Sequence, residues 1–157
     1  MTRIRSIAAI FAGLSFVIGL VLEMLLMPAK ASAVLIPGLL EYAQVWNRGV
    51  SFGLFRQDAD MGRYLLIAVL AAIIIGVGIL AWRAANSLTA IAYGLIVGGA
   101  LGNLADRAFH GAVFDYLFLH LGPAPLFVCN FPDIAISAGV AVLIAESLLG
   151  ERLAPDS

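Results

Sequence analysis

The chain has 157 residues, of which 62% are hydrophobic and only 12% charged. Soluble domains carry about 25% charged residues, so this composition, laid out in long apolar blocks, excludes a soluble globular protein and points to one integral membrane domain over residues 1–157. Nine basic against ten acidic residues leave a net charge of −1, and no basic cluster suggests a nucleic-acid partner.

Arg3 and Arg5 precede an apolar run over residues 6–27. Basic residues before an apolar stretch also mark a secretory signal peptide, but this run is too long for one and spans about 30 Å of hydrocarbon as a helix. It predicts the first transmembrane helix, with Glu23 near its far end as a lone charge. Residues 28–63 interleave proline, glycine and aromatic residues without helical period, which predicts short strands and turns. Within this connection Trp46, Phe52 and Phe55 suit the headgroup level, and Asn47-Arg48-Gly49 reads as a turn.

Residues 64–82 carry no charge and predict the second helix; the third is expected over 88–106. There Ala90, Gly94, Gly98 and Gly102 recur at intervals of four, a small-residue ridge on which helices approach closely in lipid. The connection 107–131, with Gly111, Gly122, Pro123 and Pro125, reads as irregular up to residue 129. The fourth helix is predicted over 132–150, with Pro132 suited to a first turn. The architecture expected is all-α: four transmembrane helices with a long, partly β-like loop after the first. Charge counting does not orient it. Lys30, Arg48, Arg56, Arg63 and Arg107 lie on one side and Arg3, Arg5, Arg83 and Arg152 on the other; Arg3 and Arg5 tip the N-terminus slightly towards the cytoplasm.

Four alternating helices bring Glu23, Asn47, Asn103, Asp106, Arg107, Asp115, Asn130 and Asp133 to one face of the membrane. Asn103, Asp106 and Arg107 share one side of a helix through their i, i+3, i+4 spacing. Two carboxylates a few ångströms apart cannot both ionise easily, so one can activate water while the other donates a proton. Composition and spacing do not choose between Asp106, Asp115 and Asp133. Each also has a plain alternative: Asn130 and Asp133 fit a helix N-terminus, and Asp106-Arg107 an interfacial ion pair. A metal set of Asp106, His110, Asp115, His120 and Asp133 matches no standard zinc spacing. Cys129, the only cysteine, sits in an apolar context and reads as a small buried hydrophobe. A different class of function, a small proton-coupled transporter or an assembly factor, would use intramembrane carboxylates equally well.

Asn47-Arg-Gly-Val-Ser-Phe-Gly, Gly98-Gly-Ala-Leu-Gly-Asn-Leu-Ala-Asp-Arg107, Gly111-Ala-Val-Phe-Asp115-Tyr and Asn130-Phe-Pro-Asp133 follow one another in that order. This series resembles the motifs of the lipoprotein signal peptidases, or signal peptidase II, over nearly the whole chain. The resemblance implies a bacterial inner-membrane aspartyl endopeptidase that cuts the signal peptide from diacylglyceryl-modified prolipoproteins, just before the lipidated cysteine. It implies Asp115 and Asp133 as the catalytic pair. Asn47, Gly99, Asn103, Arg107 and Asn130 then fall on positions that line the site or bind substrate and the cyclic peptide inhibitor globomycin, and Asp106 on a structural acid. It further implies cytoplasmic termini, a site at the periplasmic face and membrane-lipid surroundings. No metal or other cofactor is expected, and the chain is expected to be monomeric. The pattern departs at Glu23 and Met27, where the family usually has an aspartate and a lysine, and at Pro132, where alanine is commoner. Glu23 is expected to support the site.

Overall fold

The computed structural model describes residues 2–29, 32–49 and 60–153. Its elements in order are α1 (Thr2–Leu26), β1 (Ala33–Ile36), β2 (Leu40–Asn47), α2 (Asp60–Trp82), α3 (Ser87–Phe109), β3 (Val113–Leu121), β4 (Ala124–Cys129) and α4 (Phe131–Leu153). All four helices are long and apolar enough to cross a membrane. The strands form one antiparallel sheet in the order β1-β2-β3-β4.

The β3–β4 hairpin corrects the expectation of an irregular segment after α3. Glycine and proline there punctuate a hairpin. Gly111 (φ 76°) turns the chain out of α3, and the two-residue loop Gly122-Pro123, with Gly122 at φ 56°, joins β3 to β4. The run Val-Phe-Asp-Tyr-Leu-Phe-Leu-His-Leu between them is rich in residues that suit a pleated surface. Pro125 falls on edge strand β4, where a missing N–H need not break a ladder. With this sheet the fold is a four-helix bundle carrying a small β-sheet. The helices also run past the expected ends: α1 begins at Thr2, α2 at Asp60, and α3 continues to Phe109.

α3 is the central helix, packed against α1, α4 and α2. The predicted ridge is its contact surface. A Cβ on Gly94 would lie 2.6 Å from the Ala8 carbonyl oxygen, and one on Gly98 would overlap the Ala12 carbonyl oxygen and sit 2.8 Å from Ser15 Cβ. On the α4 side, a Cβ on Gly99 would lie 2.5 Å from the Pro132 carbonyl oxygen, and one on Gly102 would lie 3.1 Å from Pro132 Cγ. Close backbone approach replaces the hydrophobic drive that lipid cannot supply between helices. At one end Asn86 caps α3, its side chain accepting from the Thr89 N–H at 2.9 Å. Glu146 of α4 accepts from Asn86 Nδ2 and from Thr89 Oγ1.

At the other end the sheet is fastened to α1. Tyr42 Oη donates towards the Leu26 carbonyl (2.6 Å), and Gln44 Nε2 towards that of Ala29 (2.6 Å), so side chains of β2 supply donors to carbonyls at and just beyond the end of α1. Two residues apart on one strand, Tyr42 and Gln44 point the same way, and Gln44 Nε2 also donates to Tyr42 Oη at 2.7 Å. Tyr42, Phe114 and Tyr116 then form a buried aromatic cluster under Leu22, Leu26 and Met27.

The seam predicts a selective cost of substitution. Gly98→Ala forces two backbones apart and should destabilise by about 1–3 kcal/mol, read as a lower melting temperature in detergent. Gly76→Ala, where an added Cβ meets nothing within 4 Å, should not lower it, alanine being the better helix former.

Candidate active site

Each polar residue drawn from the sequence has a defined place at the end of the bundle where the sheet sits. Asn103, near the end of α3, donates from Nδ2 to Asp133 Oδ1 at 2.7 Å. Its Oδ1 accepts from Asn130 Nδ2 at 3.0 Å. Asn130 and Asp133 cap α4 reciprocally: the Asp133 N–H donates to Asn130 Oδ1 (2.9 Å) and the Asn130 N–H to Asp133 Oδ2 (3.2 Å). Asn130 is 1% exposed, and its Nδ2 also points to the Phe114 carbonyl at 3.4 Å. The end of α3 and the residue before α4 therefore close around the Asp133 carboxylate, and both of its oxygens accept from N–H groups.

Asp115 lies on β3, also 1% exposed. Asn47, at the end of β2, donates from Nδ2 to Asp115 Oδ2 at 3.1 Å, while Asp115 Oδ1 is buried with no hydrogen-bond partner among the described residues. Asn47 also forms the expected turn, its Oδ1 accepting from the Gly49 N–H at 3.0 Å. Arg107 locks this turn to α3, donating from Nη2 to the Gly49 carbonyl (2.9 Å) and from Nη1 to the Asn103 carbonyl (3.0 Å). Its charge acts on Asp115 and Asp133 together.

Asp106 does not join the other two aspartates. Its Oδ2 accepts from the Phe114 N–H at 3.0 Å, fixing the strand one residue before Asp115. Glu23 reaches the same region from α1, with Oε1 3.5 Å from His110 Nδ1. Glu23, Asp106 and His110 thus place ligand-type atoms within 4.8 Å of one another. The five-residue metal set weighed from the sequence does not assemble. His120 lies at the far end of β3, its Nδ1 on the Gly122 carbonyl at 2.8 Å and its Nε2 3.4 Å from Glu41. Gly99 is a packing position against Pro132. Trp46 is partly exposed and packs on His110 and Phe114 (ring centroids 5.6 and 5.3 Å); Phe52 and Phe55 lie outside the described residues.

Sequence reasoning overlooked Tyr116 and the part played by Arg63. Tyr116 Oη accepts from the N–H of Phe131, the first residue of α4, at 3.0 Å. Arg63 closes the C-terminal end of α3, donating to the carbonyls of Arg107 (3.0 Å) and Ala108 (2.6 Å). Tyr116 had one signal: it directly follows Asp115 in the motif. Arg63 had none, since its partners are backbone atoms of another helix.

Comparison with known proteins gives this geometry a family. Residues 7–149 match the family model described as signal peptidase (SPase) II. A lipoprotein signal peptidase of Methylorubrum extorquens (strain PA1) is 52% identical over 117 residues, 74% of this chain and 68% of its own length. One from Methylobacterium sp. (strain 4-46) is 47% identical over 129 residues, 80% of this chain and 75% of its own. A bacterial membrane enzyme solved by the in meso method at 1.9 Å resolution has the same fold, with a TM-score of 0.77 at 20% identity over 90% of this chain and 92% of that one. The chain belongs to the signal peptidase II family, and it is a multi-pass membrane protein.

Burial pushes the Asp115 carboxyl up from 3.8 to about 6; the Asn47 hydrogen bond and Arg107 oppose this, and the charges of Asp133 and Asp106 add to it. The folded state therefore binds this proton more tightly than the unfolded chain. The stabilisation it brings is full below about pH 4 and is lost as pH rises through about 6. The melting temperature of wild type should accordingly fall between about pH 4 and about pH 7 relative to that of Asp115→Asn. Parallel pH courses for the two would contradict a raised carboxyl.

Proposed function

We propose that this chain is an aspartic endopeptidase that removes the signal peptide from diacylglyceryl-modified prolipoproteins, cutting just before the lipidated cysteine. The observation that supports the reading is that Asn47 holds Asp115 on a strand, Asn103 and Asn130 hold Asp133 at a helix start, and the charges of Asp133 and Arg107 both act on Asp115. The substrate class comes from the lipoprotein signal peptidases that this chain is similar to.

In this mechanism the two carboxyl groups share one proton. The ionised one takes a proton from water as the water oxygen attacks the scissile carbonyl carbon. The protonated one supplies its proton to the carbonyl oxygen, giving a tetrahedral intermediate. Collapse breaks the C–N bond, and the departing amine takes up a proton from the pair. Because the substrate is lipid-anchored, it enters sideways from the bilayer, and its backbone needs partners that hydrocarbon does not offer. Arg107 and the asparagine amides are the donors within reach. The site then lies at the outer face of the bacterial cytoplasmic membrane, with both termini inside and globomycin as the expected inhibitor.

The packing argues against a proton-coupled transporter. Between the two polar ends the α1–α3 seam is closed by Gly94 and Gly98, and Ser15 is its one buried polar side chain among the described residues. The deciding experiment is cleavage of a diacylglyceryl prolipoprotein in detergent, followed by gel mobility. Asp115→Asn and Asp133→Asn should each lose at least about 10²–10⁴-fold in rate while keeping the wild-type melting profile at low pH, and EDTA should have no effect on wild type. Turnover retained by either variant would exclude the pair; loss of wild-type activity in EDTA would point to a metalloprotease.

A further inference from the structure

The sheet that carries Asn47 and Asp115 continues well past the site. β2 and β3 run from the Asn47–Val113 pair to the Leu40–Leu119 pair, and β1 and β4 flank only this distal part. Its surface is apolar on both edges: Val34, Leu35, Ile36, Leu121, Leu126 and Phe127 are all exposed. An antiparallel sheet facing water alternates apolar and polar side chains, and exposed edge strands are usually protected by charge. β1 (Ala-Val-Leu-Ile) and β4 (Ala-Pro-Leu-Phe-Val-Cys) do neither.

Glu41 and His120 are the only acidic or basic side chains in residues 32–46 and 117–129, and they are turned on each other. His120 Nδ1 must carry its hydrogen to the Gly122 carbonyl, which leaves Nε2 facing Glu41 Oε1 at 3.4 Å. His120 is buried. The distal sheet thus carries a single facing pair of ionisable side chains in an otherwise uncharged surface. It is also continuous with a lipid-facing surface: the last turn of α1 exposes Met24 and Leu25, and Tyr42 and Gln44 fasten the sheet to the carbonyls that follow.

We propose that the distal sheet, formed by β1, β4 and the two turns beside them, is a lipid-contacting surface seated in the leaflet on the site's side of the membrane. Its partner is the glycerol and upper acyl region of phospholipid, which receives apolar surface without demanding charge. The proposal goes beyond the peptidase reading and depends only on the spanning helices. It gives the sheet a second anchor besides α1 and holds β3, with Asp115, at the level of the bilayer surface.

A fluorophore placed by cysteine chemistry tests this in proteoliposomes. Burial pushes the native Cys129 thiol up to about 11, so at neutral pH it is a poor competitor for the label. Val34→Cys, Leu126→Cys and, as an aqueous control in the exposed α2–α3 connection, Ala85→Cys would each carry an environment-sensitive dye. The first two should show blue-shifted emission, quenching by phospholipid brominated high on its acyl chains, and protection from aqueous iodide; the control should show the reverse. Iodide quenching at Val34 and Leu126 would overturn the proposal. So would shielding from both quenchers, which would indicate a protein partner or a second copy.

Discussion

A carboxylate at the edge of hydrocarbon survives as a functional group only if fixed donors replace the water it has lost. Asparagines supply those donors here, to three of the four oxygens of Asp115 and Asp133. Asn103 and the Asn130 backbone hold the two oxygens of Asp133, and Asn47 holds one oxygen of Asp115. Each hydrogen bond to a charged group is worth about 1.5–3 kcal/mol. Such donors outlast a proton transfer, because an asparagine N–H has no charge of its own to lose. They also join α3 to α4 and β2 to β3, so the site and the fold share the same bonds.

The glycine seam is the precondition. Asn103 reaches Asp133 only because Gly99 and Gly102 let α3 approach the first turn of α4, where Pro132 packs. The same helix meets α1 across Gly94 and Gly98. From this scaffold Asp106 and Arg107 project towards the loops, one holding the Phe114 N–H and the other the Gly49 carbonyl. Neighbouring side chains on one helix thereby set the two strands that deliver Asp115 and Asn47.

Much of this is written locally in the chain. Unbroken apolar runs reveal spanning helices, the four-residue spacing from Ala90 to Gly102 reveals a packing ridge, and Asn130-Phe-Pro-Asp133 reads as a capped helix start. The hairpin after α3 was not legible, because glycine and proline mark strand ends and irregular chain alike; only the pairing of β3 with β4 shows that Gly122-Pro123 is a turn. Tyr42 and Gln44 were also hidden. Their role depends on where the sheet meets the end of α1, which no local pattern shows. Asp106 could be named as a site acid but not separated from Asp115, since the distinction is whether a carboxylate meets a backbone N–H or an asparagine amide.

The central claim is that Asp115 and Asp133 act as one unit on the scissile peptide, and it can be tested without turnover. A lipid-modified peptide in which a hydroxyethylene group replaces the scissile amide places a hydroxyl where the attacking water would stand. Its affinity should be measured directly for wild type and for Asp115→Asn and Asp133→Asn. The account predicts binding at least about 10²-fold tighter than that of substrate, with most of this gain lost in either variant. Equal affinity across the three proteins would contradict it.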